Sequence, residues 1–204
     1  MARALVVVDL QYDFCQGGAL AVPDADAVIP AVNRLAERFD LVVATQDWHP
    51  AGHGSFASSH PGAAPGDAAE LGGVTQTLWP DHCVQGTPGA ELHAGFDQRR
   101  VSAIVRKGTD RGVDSYSAFF DNARKHTTGL AGYLRELGAT EVCFAGLATD
   151  YCVKYSVLDA VELGFATRVV VDACREIDLV AGDVERAFEE MRSAGATLVS
   201  SADA

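Results

Sequence analysis

Short aliphatic runs recur along this chain with amphipathic stretches between them, and several of the runs end on a residue that can do chemistry. Val6-Val7-Val8 leads to Asp9, Leu41-Val42-Val43-Ala44 to Thr45-Gln46-Asp47, Ile104-Val105 to Arg106-Lys107, and Val142-Cys143-Phe144-Ala145 to the turn that carries Cys152. Unbroken apolar runs of this length read as parallel strands buried on both faces, because a strand with one wet face would alternate. Between the first two runs, residues 24–39 place Val28, Ile29, Val32, Leu35 and Ala36 at helical spacing behind Pro23, the pattern of an amphipathic crossover helix. The alternation resumes with a strand near 101–106, a helix near 127–137, a strand at 141–145 and a helix at 150–163. A strand at 167–171, a helix at 181–194 and a short strand at 197–199 complete it. Six strands with alternating helices predict a doubly wound, mostly parallel sheet with helices on both faces, a Rossmann-like three-layer α/β fold. Such sheets bind ligands at their carboxyl edge, so the acid, the second carboxylate, the amine and the thiol all emerge where a ligand would sit.

The 204 residues, 48% of them hydrophobic, suffice for one core, and the whole chain 1–204 is read as a single domain. A net charge of −12 argues against nucleic acid or an anionic membrane, both of which call for clustered cations. A small neutral or cationic molecule is the better partner. The apolar stretch after Met1-Ala2-Arg3 is about five residues long, far short of a signal-peptide core or the roughly 20 residues of a membrane span. A cytoplasmic protein is expected. The five cysteines are odd in number and two fall in or beside strands, so no disulfide framework is expected and most thiols should be buried.

Residues 46–100 break the alternation. They hold nine of the 20 glycines, five of the seven prolines, both tryptophans and five of the six histidines. Long segments without periodicity are functional or disordered, and aromatic content speaks against disorder. An ordered loop folded over the sheet edge is expected.

In Gly146-Leu147-Ala148-Thr149-Asp150-Tyr151-Cys152-Val153 the thiol would lie in the first turn of a helix, where unpaired amides and the helix dipole favour a thiolate. The same amides could hold an oxyanion. Taken alone Cys152 reads first as a buried structural cysteine; the strand-turn-helix setting and the acid and amine on the same edge reverse that reading toward a nucleophile. Asp9, in apolar surroundings, would have a raised pKa suited to accepting the thiol proton, and Lys107 could stabilise the resulting charges. Asp47 and His49 stand two apart in an extended stretch and so face one side; with His82 they make an oxygen and two nitrogens suited to a divalent transition metal such as zinc, iron or manganese. His53 is either a fourth ligand or a residue at the surface or behind the ligands. His60, His93 and His126 read as solvated. Phe14 and Trp79, with Tyr116 as a further candidate, are placed around a flat substrate.

Together these motifs resemble the nicotinamidase/pyrazinamidase branch of the isochorismatase-like cysteine hydrolases. The matching segments are VVVDLQYDFCQGGAL (6–20), VVATQDWHP (42–50), LWPDHCVQGTPGAELH (78–93), KGTDRGVDSYSAFFDN (107–122) and GLATDYCVKYSVLDA (146–160). The resemblance implies a triad of Asp9, Lys107 and Cys152 and a divalent ion, zinc first, on Asp47, His49 and His82. It also implies an oxyanion hole from the amides of Ala148 and Cys152 after a cis peptide at Leu147–Ala148. The implied activity is hydrolysis of nicotinamide, and of pyrazinamide, in NAD salvage; a homo-oligomer is compatible with it. Isochorismatase or ureido-amide hydrolase activity, or a catalytically idle ligand-binding member of the fold, are the alternatives. Arg175-Glu176 departs from the glycine expected there, in a loop read as remote from the chemistry.

Overall fold

The computed structural model describes residues 2–204. Six strands, β1 (Ala2–Val8), β2 (Leu41–Asp47), β5 (Val101–Lys107), β6 (Ala139–Leu147), β7 (Ala166–Arg175) and β8 (Thr197–Val199), form one sheet in the order β5-β2-β1-β6-β7-β8. Every pairing in it is parallel. β1 is therefore the strand from which the chain first winds one way, to β2 and β5, and then the other, to β6 and beyond. The crevice at that reversal, between the ends of β1 and β6, is where an open α/β sheet admits a ligand. Asp9 and Cys152 follow those two strands.

Successive strand residues point to opposite faces, and the core divides accordingly. Leu5, Val7, Val42, Ala44, Cys143 and Ala145 pack beneath α1 (Ile29–Ala36). Val6, Val8, Val43, Val142 and Phe144 face the other way, toward Leu130 and Leu134 of α2 (Leu130–Glu136), Val157 and Ala160 of α3 (Lys154–Glu162), and Ala187 and Met191 of α4 (Asp183–Ala194). Strands buried on both faces explain why their runs are continuous. The exception is β5, an edge strand whose residues alternate between half-buried and exposed until Lys107. Among the described residues, no helix is long and apolar enough to cross a membrane.

Two local departures from the sequence reading have physical causes. The stretch 46–100 is ordered but not wholly irregular: β3 (Ala68–Leu71) and β4 (Val74–Thr77) pair as an antiparallel hairpin about Gly72 and Gly73, both at positive φ. Its four-residue strands, Ala-Ala-Glu-Leu and Val-Thr-Gln-Thr, are too short and too mixed to register as a period. The helix expected from 150 begins instead as a π-helical turn at Thr149–Val153, with the α-helix proper starting at Lys154. Wide turns of this kind recur at functional sites.

Candidate active site and metal cluster

Lys107 is the hub of the site. It closes β5, is 2% exposed, and sends its ammonium Nζ to Asp47 Oδ1 at 2.5 Å, Asp9 Oδ2 at 2.8 Å, the Ser115 carbonyl at 2.9 Å and Cys152 Sγ at 3.3 Å. A buried ammonium would shed its proton to escape desolvation, but two carboxylates at contact more than offset that and keep its pKa well above the ordinary value.

Asp9 takes a left-handed turn at φ 48° directly after β1, a conformation that short polar side chains tolerate. Its amide donates to Thr45 Oγ1 at 3.1 Å, and the same hydroxyl donates back to Oδ1 at 2.6 Å. Oδ2 has the Lys107 charge beside it but no donor aligned as a hydrogen bond. That leaves one carboxylate oxygen free to accept a proton. Burial pushes the Asp9 carboxyl above the usual range; the Lys107 ammonium pulls it back only in part, and the Asp47 carboxylate adds to the rise.

Cys152 is 7% exposed, and its sulfur, the Asp9 carboxylate and the Asp47 carboxylate lie within 4.8 Å of one another. The helix-terminus expectation of a low thiol pKa does not hold. Burial pushes the Cys152 thiol well above its ordinary value, Asp9 and Asp47 add to the effect, and Lys107 offsets only part of it. The α-helix starts two residues later, so the dipole acts weakly here. The resting group is a thiol that requires a base.

The second half of the site is the metal-type cluster. Asp47, His49 and His82, all buried, offer ligand atoms within 4.8 Å of one another. His49 Nδ1 donates to the Gly108 carbonyl at 2.9 Å and His82 Nδ1 to the Pro80 carbonyl at 2.8 Å, which turns the Nε2 lone pair of each ring toward Asp47, 3.7 and 3.9 Å from Oδ2. His49 Nε2 is buried with no hydrogen-bond partner. Tautomers fixed by backbone carbonyls, with an orphaned inward nitrogen, are what a metal-binding imidazole requires, and an oxygen and two nitrogens suit a divalent ion. Burial, then His49, brings the His82 pKa down to about 4, so the ring is neutral and able to ligate at neutral pH.

His53 is adjacent but engaged: Nδ1 meets Ser55 Oγ and Nε2 the Asp110 carbonyl, each at 2.7 Å. Both ring nitrogens are thereby occupied. Of the histidines read as solvated, His126 is exposed but paired with Asp121 at 2.9 Å; His60 meets the Gly54 carbonyl at 2.7 Å and His93 lies against Tyr12.

Phe14, Trp79 and Tyr116 line a small apolar pocket together with Leu20, Asp47, His82, Asp114, Ala148, Tyr151, Cys152 and Ile177. Trp79 Nε1 donates to Tyr116 Oη at 3.1 Å and the indole meets the Tyr151 ring edge-on at 4.9 Å. Tyr116 and Tyr151 separate this pocket from a cavity of about 430 Å³ beside the β3–β4 hairpin. The Leu147–Ala148 peptide is cis. Sequence reasoning missed four contributors. Thr45 orients Asp9. Gln11 braces the end of β2, accepting from the Asp47 amide and donating to its carbonyl, both at 2.8 Å. Asp114 Oδ1 lies 4.0 Å from His49 Nε2. Ile177 lines the pocket, so the loop after β7, read as remote, reaches the chemistry. Gln11 and Asp114 fall inside the matching segments 6–20 and 107–122, where their polarity beside apolar runs was the available signal.

The isochorismatase domain model matches residues 3–203. A nicotinamidase of Escherichia coli (strain K12) is 51% identical over 205 residues, covering 98% of this chain and 96% of that one. Among solved structures, a nicotinamidase and pyrazinamidase from Acinetobacter baumanii superposes with a TM-score of 0.96 at 48% identity, over 99% of this chain and 97% of that one. A pyrazinamidase of Pyrococcus horikoshii in complex with zinc gives a TM-score of 0.81 at 40% identity, over 98% and 99%.

Proposed function

The chain belongs to the isochorismatase family, and from that premise we propose that it hydrolyses nicotinamide to nicotinate and ammonia by covalent catalysis through Cys152. The observation that carries the reading is the Lys107 ammonium, buried between Asp9 Oδ2 at 2.8 Å and Cys152 Sγ at 3.3 Å. Pyrazinamide, which keeps the carboxamide on a planar six-membered ring, is a second substrate. Solved relatives bound to nicotinate and to the inhibitor nicotinaldehyde, and a pocket lined by Phe14, Trp79 and Tyr116, support the same class.

Asp9 takes the proton of Cys152, a transfer that its free Oδ2 and raised pKa favour. The thiolate adds to the carboxamide carbon, forming the C–S bond as the carbonyl π pair moves to oxygen. The amides of Ala148 and Cys152 receive that oxyanion. Collapse breaks the C–N bond while Asp9 returns its proton to nitrogen, releasing ammonia and leaving a thioester. Water, deprotonated by Asp9, adds to the thioester; as the C–S bond breaks Asp9 returns that proton to sulfur, restoring the thiol, and the acid leaves as nicotinate, its proton lost to solvent. Lys107 keeps its proton throughout and stabilises each negative charge that forms. Phe14 and Trp79 hold the ring flat, with Tyr116 at the edge.

Asp47, His49 and His82 would hold a divalent ion, zinc foremost, with His53 bracing the cluster. Such an ion supplies a Lewis-acidic anchor for the ring nitrogen, which orients the carboxamide toward Cys152. Five free, buried cysteines support a cytoplasmic setting, where the product would feed pyridine-nucleotide synthesis. Ammonia release from nicotinamide, measured with and without added zinc, tests the reading. No release under either condition would overturn it.

A further inference from the structure

The loop 176–182 between β7 and α4 reaches the pocket through Ile177, which lines it beside Ala148 and Cys152. The neighbouring Leu179 and Val180 are exposed. The loop's own hydrogen bonds fold it onto the start of α4: Val180 N donates to Asp183 Oδ2 at 3.0 Å, and Asp183 N donates to the Val180 carbonyl at 2.9 Å and to Asp178 Oδ1 at 3.1 Å. What ties it to the active site is Asp150. That carboxylate, 3% exposed, accepts from Ile177 N through Oδ1 at 3.1 Å and from Asp178 N through Oδ2 at 2.8 Å.

Asp150 stands two residues before Cys152 in the same π-helical turn. One side chain therefore fixes the distance between the nucleophile's turn and the loop opposite it. Charge-assisted bonds to two successive amides are stronger and more directional than neutral ones, and Ile177 brings no polar group to the wall it forms.

We propose that Asp150 is a positioning residue that clamps Ile177 as a wall of the substrate pocket, so that this loop sets how large an aromatic carboxamide can reach Cys152. The identity of the substrate rests on the function proposed above; the wall does not. Opening it should relax size selection, since a pocket discriminates about 10-fold to 200-fold for each methylene it can exclude.

The test is the alkylation of Cys152 by iodoacetamide and by the bulkier N-phenylmaleimide, followed by peptide mass in the wild-type chain, three single variants and the Asp150→Asn, Ile177→Ala double variant. Ile177→Ala removes the wall and Asp150→Asn weakens the clamp. One glycine inserted between Glu176 and Ile177 shifts both amides without touching the buried acid. The ratio of the bulky to the small rate constant is expected to rise about tenfold in all three, on the discrimination a single methylene supports. The double substitution should rise no further than the larger single one, because clamp and wall act as a unit. A ratio that stays at the wild-type value in both Asp150→Asn and the insertion would overturn the clamp, and one unchanged in Ile177→Ala would overturn the wall. Alkylation needs no turnover, so failure to release ammonia from nicotinamide would sink the substrate reading and leave this ratio intact as the measure of the loop.

Discussion

At the scale of single residues, the site is a set of charges that water cannot screen. Lys107 serves Asp9, Asp47 and Cys152 at once, so removing it leaves buried carboxylates without compensation. Lys107→Ala and Asp9→Asn should each lower kcat by several orders of magnitude, and the double variant should be little worse than either, as residues acting together lose their effect together. Independent losses that multiply would show that the two do not act on one step. Cys152→Ala should abolish ammonia release, and Cys152→Ser nearly so, with an unchanged circular dichroism spectrum. The pH profile follows from Asp9. Its carboxyl is raised above the ordinary 3.8 chiefly by burial; protonated below its folded pKa it cannot accept the thiol proton, and ionised above it can. The acid limb of kcat/KM should therefore lie at a higher pH than an ordinary carboxylate gives. Lys107, raised well above 10.5, should place no falling limb near neutrality. A limb below pH 3.8 would exclude Asp9 as the base.

At the scale of elements, the site depends on how closely β1 and β6 approach. Gly146 lies opposite Val8 at φ +121°, and a Cβ there would run into the Val8 backbone. Gly146→Ala should destabilise the fold by about 3 kcal/mol, the sum of left-handed strain and overpacking. For a chain of this length that is a fall in Tm of about 6–12 °C, readable by calorimetry. A fall under 2 °C would mean that the strands separate more easily than their packing implies. Gly108 plays a comparable part after β5: at φ +62° its carbonyl accepts from His49 Nδ1, and a side chain there would overlap the imidazole ring.

At the scale of the whole molecule, four separate strand ends and a long loop are brought to one crevice, and an ion at Asp47, His49 and His82 would tie β2 to that loop. Zinc should consequently stabilise the fold itself. At a free concentration a hundredfold above Kd the gain is about 2.7 kcal/mol, an upward shift in Tm of about 5–10 °C, absent in His49→Ala and His82→Ala. Chelation should remove nearly all turnover while Cys152 still alkylates slowly, since the thiol, Asp9 and Lys107 remain. Loss of alkylation together with the ion would mean that the metal tunes the thiol.

The aliphatic runs by themselves determined a parallel sheet, because a strand buried on both faces must be apolar along its whole length, and Val6–Val8 and Leu41–Ala44 are. They also placed Asp9, Asp47, Lys107 and Cys152 at one edge, since parallel strands all end on the same side. Periodicity could not reveal the β3–β4 hairpin, whose strands are too short to repeat, nor the π-helical turn, which differs from an α-helix by hydrogen-bond register alone. Tertiary structure decided which state the groups occupy. The Cys152 thiol is pushed up, not down, because the exclusion of water, with two carboxylates adding to it, outweighs Lys107 and a helix end, a balance of burial and distances that no linear spacing encodes. It decided that His53 is held at both nitrogens by Ser55 and Asp110. Ile177, which stands 25 positions after Cys152 in the chain, joins the pocket because the carboxylate of Asp150 gathers its amide there.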